Sequence, residues 1–143
     1  MPKICRSMLA DGDKPQIGNG SKMLGVRMAP DPNPDILADA KGKVSPQTGG
    51  MSVAPEWQKL PHHLIPKRFR DLFPRASGSN HLVLWTMGTG PFLTGPLTKD
   101  LDFRQDPGNL VTHGFVEPPQ EMSADEFQNA LAATQDQWVK DEG

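Results

Sequence analysis

The 143-residue sequence contains no tyrosine, a single cysteine and no long apolar run. Because no stretch approaches 18 consecutive apolar residues, we expect no membrane-spanning helix and no membrane partner. Cys5 has no second cysteine to pair with, and its apolar neighbours favour a small buried side chain. The N-terminal residues lack the apolar stretch of a secretory signal, so we expect action in the cytoplasm, with any export needing no cleaved signal.

Glycine and proline are in excess, with 14 and 15 residues respectively. Together they make up about a fifth of the chain, against an average near 12%. Such residues break helices throughout the sequence, which excludes a helix bundle. A chain of this length still buries roughly 70% of its unfolded surface. We therefore predict one domain spanning residues 1–143, with a loop-rich region at 11–47.

The charge is nearly balanced, with 15 basic against 17 acidic residues and a net charge of −2. No strong field recruits nucleic acid, so stable nucleic-acid binding is not expected. The basic run Lys67–Arg70 is interpreted as a solvated turn. His62 and His63 are adjacent, and the sequence has neither an HExxH pattern nor a cysteine pair, so no metal site is predicted.

Short strands and one helix account for the apolar patterning. Ser123 and Glu126 form a capping box, and Phe127 begins an apolar stripe that continues with helical spacing to Trp138. Strands followed by a single terminal helix indicate an α+β domain. The predicted strands are Ile4–Leu9, a short one beginning at Met51, His81–Met87, Leu101–Arg104 and Val111–Glu117.

Four polar residues lie on these short strands: Arg6, Ser52, His113 and Glu117. Each of them alone is more often structural than functional. Ser52 does not stand in a G-x-S-x-G elbow, and the Gly-Asn-Gly at 18–20 lacks the rest of a dinucleotide fingerprint. A serine hydrolase is therefore poorly supported, and a Rossmann site is excluded.

The order of several islands resembles the Tse-type cytotoxic effectors, toxins with an ADP-ribosyltransferase-like fold. Some members leave bacteria by type VI secretion, and similar sequences occur in fungal genomes. The resemblance covers about residues 4–140. The matching islands are Ile4-Cys5-Arg6, Pro34-Asp35-Ile36, Gly42, Pro46, the Thr48–Val53 segment TGGMSV, Leu101–Asp106, Thr112-His113 with Val116 and Pro118, Met122, and Gln137-Trp138.

The resemblance implies a split sandwich of two small antiparallel sheets that binds NAD in a cleft between them. Transferases of this class use an arginine or histidine on the first strand, a small hydroxyl or aromatic residue on a second strand and usually a glutamate on a third. Arg6 matches the first position and Ser52 the second. The third position stays open between His113 and Glu117.

The resemblance also implies roles for these residues when the nicotinamide–ribose bond breaks to give a cation-like sugar. Arg6 would hold a cofactor phosphate by two parallel hydrogen bonds. Ser52 would bond the ribose, and Glu117 would stabilise positive charge or His113 would bind the ribose or the acceptor. The remaining cofactor contacts would come from Thr48, Gly49 and Gly50, whose backbone permits close approach.

These expectations describe a toxin that transfers ADP-ribose from NAD to an unknown macromolecular acceptor, and a toxin of this kind implies a neutralising immunity protein. Two alternatives stay open. The first is a toxin or regulator that binds a target through a degenerate cleft, because the clear glutamate motif is missing. The second is another reaction in the same cleft, such as NAD hydrolysis or transfer of an RNA 2′-phosphate to NAD.

Overall fold

The structure is a computed structural model that describes residues 1–142. It is an α+β domain of antiparallel strands with one α-helix, as predicted. Two four-stranded sheets have the orders β10-β5-β1-β2 and β4-β8-β7-β6, and β3 pairs with β9 in a two-stranded ribbon. The elements are β1 Ile4–Asp11, β2 Lys14–Pro15, β3 Lys43–Val44, β4 Met51–Val53, β5 Leu82–Met87, β6 Gly95–Thr98, β7 Leu101–Gln105, β8 Gly114–Glu117, β9 Met122–Ser123, α1 Ala124–Ala132 and β10 Val139–Lys140.

Strands β1 and β5 form the centre of the first sheet. They pair from Ile4 opposite Met87 to Leu9 opposite Leu82. This agrees with two predicted strands, although β1 runs two residues further, to Asp11, and β5 begins one residue later, at Leu82. Their side chains point alternately to a larger and a smaller hydrophobic cluster, so this sheet is covered on both faces.

The second sheet is built from the short strands downstream of residue 50. Strand β4 pairs with β8 so that Ser52 lies opposite Phe115, and β8 pairs with β7 so that Arg104 also lies opposite Phe115. Directly opposed residues share one face of a sheet. The other face carries Met51, Phe103 and Val116, which are all buried in the larger cluster.

The two sheets meet where β1 touches the end of β4. The Cys5 N–H donates to the Ala54 carbonyl at 2.7 Å, and the Ala54 N–H donates to the Cys5 carbonyl at 2.9 Å. Beyond this bridge, β1 continues with its own sheet and β4 with the other. The separation of the strands opens a cleft between them.

The predicted helix cap is confirmed. The Ser123 hydroxyl accepts from the Glu126 N–H at 3.0 Å, and the Glu126 carboxylate accepts from the Ser123 N–H at 3.2 Å. The predicted stripe is also buried, from Phe127 through Thr134 to Trp138. The α-helix ends at Ala132, and a 3₁₀ turn at Gln135–Gln137 leads to Trp138.

Two sequence expectations need adjustment. The strand predicted at Val111–Glu117 begins only at Gly114, because a turn at Asn109–Thr112 precedes it. Region 11–47 carries the short strands β2 and β3, while Ile17 with Leu24, and Ile36 with Gly49, pair as isolated bridges. Within residues 1–142, no helix combines the length and the apolar character that a membrane span requires.

Candidate functional site

A cleft of about 830 Å³ lies beside the junction of the two sheets. This volume falls within the roughly 300–1,000 Å³ of small-molecule and cofactor sites. Five parts of the chain contribute to it: β1, the loop at 21–35, the segment 52–64, Ser77 and the loop at 109–113. The lining residues are Arg6, Ser7, Ser21, Lys22, Arg27, Asp35, Ser52, Val53, Ala54, Lys59, Leu60, Pro61, His62, His63, Leu64, Ser77, Asn109, Thr112 and His113.

Strand β1 has an open edge at Ser7. The Cys5 N–H bonds Ala54 and the Leu9 N–H bonds the Lys22 carbonyl at 2.8 Å, so odd-numbered residues of β1 direct their backbone groups away from β5. Alternation in an antiparallel pair places the Ser7 N–H and carbonyl on the same side. Ser7 therefore presents one donor and one acceptor at the gap between these two neighbours.

The Ser7 hydroxyl adds a third polar group at this place. Ser7 is only 1% exposed. Its Oγ is the one buried side-chain oxygen or nitrogen without a hydrogen-bond partner among residues 1–142. Leaving a buried polar group unpaired costs about 1–3 kcal/mol, so such groups are uncommon. Ser7 also lines the cleft, so this unpaired hydroxyl lies just beneath the cleft surface.

Arg6 is buried beside the cleft and fixes its wall. Its guanidinium donates to the Ser52 carbonyl at 2.7 Å, to the Ser21 carbonyl at 3.1 Å and twice to the Met23 carbonyl, at 3.1 and 3.2 Å. Burial lowers the pKa of Arg6 to about 10, which leaves it charged at neutral pH. Four of its five N–H groups are occupied, so two parallel bonds to a phosphate, as expected above, are not available.

The charged side chains around the cleft are mostly positive. Besides Arg6, the lining contains Lys22, Arg27 and Lys59, against one carboxylate at Asp35. Arg27 and Asp35 form a two-bond ion pair, with contacts of 2.8 and 3.2 Å. The hydrogen bond to Asp35 raises the pKa of Arg27 above its ordinary value. A positive cleft in a chain of net charge −2 favours an anionic ligand.

His113 lies in the cleft wall with a carboxylate behind it. Its Nδ1 is 2.9 Å from Asp106 Oδ2. The Gly108 N–H first, and then His113, lower the pKa of Asp106, so the carboxylate is ionised at neutral pH. An ionised carboxylate only accepts hydrogen bonds, hence Nδ1 carries the proton. In the neutral ring, Nε2 then keeps a lone pair for a ligand.

Ser52 and His113 line the same cleft, and both are neighbours of Phe115. Ser52 lies opposite Phe115 in the sheet, and the His113 ring packs edge-on against Phe115 with centroids 4.8 Å apart. The Ser52 carbonyl holds Arg6, while its hydroxyl is free of described hydrogen bonds. Arg6, Ser52 and His113, three residues singled out from the sequence, thus line one cavity.

Glu117 occupies a different place. It is 4% exposed and does not line the cleft. One carboxylate oxygen accepts from Arg104 Nε at 3.0 Å, and the other accepts from the Gln47 N–H at 2.6 Å. Glu117 therefore fastens the turn before β4 to the end of β8.

Thr48, Gly49 and Gly50 also lie outside the cleft lining. The Thr48 hydroxyl donates to the Ser45 carbonyl at 2.6 Å. At Gly49, with φ of +124°, a Cβ would stand 2.2 Å from the Asp35 carbonyl oxygen. The absence of a Cβ at Gly49 and Gly50 lets the backbone of neighbouring segments pack closely against them. Their expected contacts with a cofactor remain predictions.

Sequence reasoning missed several residues of the cleft, including Ser7, Lys22, Arg27 and Lys59. Nothing in the local sequence distinguishes Ser7, because its open backbone edge depends on strand pairing. The length of the loop at 11–47 was the available signal for Lys22 and Arg27, since long loops in compact domains are often functional.

The structure supports neither a reactive Cys5 thiol nor a metal site among residues 1–142. Burial, the largest cause, raises the pKa of the Cys5 thiol to about 12, which leaves the residue unreactive at neutral pH. Among residues 1–142, no group of three or more His, Cys, Asp and Glu side chains is arranged to hold a metal ion.

In comparison with known proteins, no protein-family model matches the chain. No curated protein matches it significantly either.

Proposed function

We propose that this protein is an NAD-using ADP-ribosyltransferase-like toxin whose reaction takes place in the cleft between β1 and β4. The observation that carries the proposal is the open edge at Ser7 inside a cationic cleft. Two antiparallel sheets that diverge from a shared junction also agree with the split sandwich that the resemblance to Tse-type effectors implies.

The polar groups of Ser7 fit a primary carboxamide. A carboxamide offers N–H donors and a carbonyl acceptor, which complement the backbone carbonyl and N–H of one extended residue. The gap is too short for another strand, because Ala54 and Lys22 occupy the positions on either side. Nicotinamide carries such a carboxamide, and the buried Ser7 hydroxyl supplies a further polar contact.

The charges of the lining fit the rest of a dinucleotide. Lys22 and Lys59 are exposed cations at the cleft, and Arg27 stands beside them with part of its side chain accessible. A pyrophosphate has the negative charge that these groups complement. Arg6 acts in this proposal as a positioning residue, because it holds the carbonyls of Ser21, Met23 and Ser52.

In this proposal, Ser52 acts on the sugar and His113 acts on the incoming acceptor. The hydroxyl of Ser52 bonds the nicotinamide ribose, and His113 meets the acceptor. Glu117 stabilises the sheet instead of the reacting sugar, since Arg104 and the Gln47 N–H occupy its carboxylate. An immunity protein that blocks the cleft is the partner that a toxin of this kind needs.

The growth of a sensitive bacterial host expressing the chain tests this function. We expect the wild type to arrest growth and to lower cellular NAD, and the Ser52→Ala variant to do neither while keeping its far-UV circular dichroism. Ser45→Ala is the matched control, because this serine lies outside the cleft lining. Killing by a folded Ser52→Ala variant at wild-type level contradicts the proposal, whereas killing without NAD loss favours toxicity through binding alone.

The cationic lining is tested separately by titrating NAD calorimetrically. We expect the double variant Lys22→Gln/Lys59→Gln to bind NAD about tenfold more weakly, and the difference to shrink as salt rises. The double variant Lys41→Gln/Lys99→Gln removes the same charge from exposed positions outside the cleft and serves as control. Equal loss of affinity in both double variants contradicts a specific phosphate contact.

A further inference from the structure

The His113–Asp106 pair supplies a proton acceptor that NAD itself does not require. Breaking the nicotinamide–ribose bond releases neutral nicotinamide, and no proton moves in that step. A histidine with its Nδ1–H donated to a carboxylate keeps a basic Nε2, which is the arrangement of a general base. The pair therefore concerns the second substrate, the acceptor of ADP-ribose.

The loop that carries the pair is held in place by several contacts. The Asp106 N–H donates to the His113 carbonyl at 3.0 Å, and the His113 N–H donates to the Asn109 carbonyl at 3.0 Å. The Asp106 carboxylate also accepts from the Gly108 N–H at 3.0 Å. With Phe115 against its edge, the imidazole has little freedom to turn away from the cleft.

A histidine base limits the chemical groups that can serve as the acceptor. A carboxylate acceptor is already a nucleophile and needs no base. An arginine guanidinium has no free lone pair until it loses a proton, and its pKa above 12 puts that proton out of reach of an imidazole before attack. A hydroxyl oxygen becomes strongly acidic as it bonds a cation-like carbon, and it can then give its proton to histidine. A cysteine thiol ionises readily, with an ordinary pKa of about 8.5, and depends least on such a base. The pair thus favours an O–H acceptor.

The surface next to the pair favours a protein over a nucleic acid. Leu110 and Val111 are 54% and 76% exposed, and they lie between the cleft residues Asn109 and Thr112. Nucleic-acid sites are basic patches or stripes, whereas the loop that carries the pair offers apolar side chains and the carboxylate of Asp106. The cations elsewhere in the cleft are assigned to the pyrophosphate of NAD. An apolar side chain next to the modified residue of a polypeptide complements this loop.

We propose that the acceptor is a serine or threonine hydroxyl of a protein, that His113 removes its proton, and that Asp106 is a positioning residue for His113. The inference rests on the proposed function. In the reaction, the C1′–N bond of NAD breaks and its electron pair leaves with nicotinamide. The acceptor oxygen forms the new bond to C1′, and its proton passes to His113 Nε2 and then to water.

Site-localising mass spectrometry of a host lysate treated with the purified chain and NAD tests the acceptor class. We expect ADP-ribose on serine or threonine side chains of protein. Label on arginine, acidic or cysteine side chains, on nucleic acid, or only as free ADP-ribose from water overturns this inference and leaves NAD use in place. Absence of nicotinamide release overturns the proposed function itself.

Kinetics of two variants test the roles of the pair. We expect His113→Gln to lower kcat for transfer about 10²- to 10⁴-fold, with KM for NAD nearly unchanged. Asp106→Asn lowers kcat less, and adds little when combined with His113→Gln, because it acts through the histidine. His81→Gln and Asp100→Asn change exposed residues outside the cleft and are the matched controls. If the losses in kcat add in the double variant, Asp106 does not act through His113. If the fall in kcat comes with a higher KM and a lower melting temperature, the pair has a merely structural role. Either result overturns the assignment.

Discussion

Replacement of Arg6 by methionine tests how the cleft wall is held. Methionine keeps an unbranched apolar stem but removes five hydrogen bonds, which go to the carbonyls of Ser21, Met23, Gly25 and Ser52. A hydrogen bond to a charged group contributes about 1.5–3 kcal/mol, and each buried carbonyl left unpaired costs about 1–3 kcal/mol. Relief of the buried charge offsets part of this loss. We expect Arg6→Met to destabilise the fold by about 3–5 kcal/mol, a large part of the 5–15 kcal/mol of a typical domain.

Urea unfolding followed by tryptophan fluorescence measures this change. With a slope of about 2 kcal/mol per molar urea, the midpoint falls by about 2 M. Arg6→Lys should lie between wild type and Arg6→Met, because an ammonium cannot reach the carbonyls of both Ser52 and the 21–23 loop. Arg75→Met alters an exposed arginine and should stay within about 0.5 kcal/mol of wild type. An Arg6→Met variant as stable as wild type refutes the reasoning, and assigns Arg6 to ligand binding instead.

Three further predictions use the same unfolding and titration assays. Ser7→Ala should bind NAD about tenfold more weakly with no loss of stability, since its hydroxyl has no partner in the folded chain; unchanged affinity in calorimetry would remove the Ser7 hydroxyl, but not the Ser7 backbone groups, from the site. Glu117→Gln should lower stability by about 2 kcal/mol, because it breaks the buried pair with Arg104, yet retain most NAD turnover. A loss of turnover without loss of stability would return Glu117 to a catalytic role. Ser123→Ala should destabilise by about 1 kcal/mol in urea, and no change would contradict the capping assignment.

The elements that the sequence predicts well are those fixed by neighbouring residues. The capping box of Ser123 and Glu126 and the stripe to Trp138 are local signals, and the structure shows both. The strand Leu82–Met87 was equally recognisable from its apolar run. The turn at Asn109–Thr112 shortened another predicted strand, because its backbone bonds form within the loop and no hydrophobic pattern marks them.

The candidate site was predictable in part. Arg6, Ser52 and His113 came from polar residues on short strands and from the resemblance, and they line one cleft. Glu117 is also a polar residue on a short strand, but its carboxylate is held outside the cleft by Arg104 and the Gln47 N–H. Neither contact can be recognised from the sequence around Glu117.

The remaining site features arise only from long-range pairing. The open edge at Ser7 exists because Ala54 bonds Cys5 on one side and Lys22 bonds Leu9 on the other. Both partners are distant in sequence, so no local pattern reveals the gap. The same holds for Asp106, whose importance depends on the return of the loop to His113.

The release of nicotinamide from NAD tests the central claim most directly. Proton NMR of the purified chain mixed with NAD and host lysate should show free nicotinamide accumulating with wild type, and at a rate at least about tenfold lower with Ser52→Ala. The Ser45→Ala control should match wild type. If wild type releases no nicotinamide above the lysate alone, the cleft is not an ADP-ribosyltransferase site.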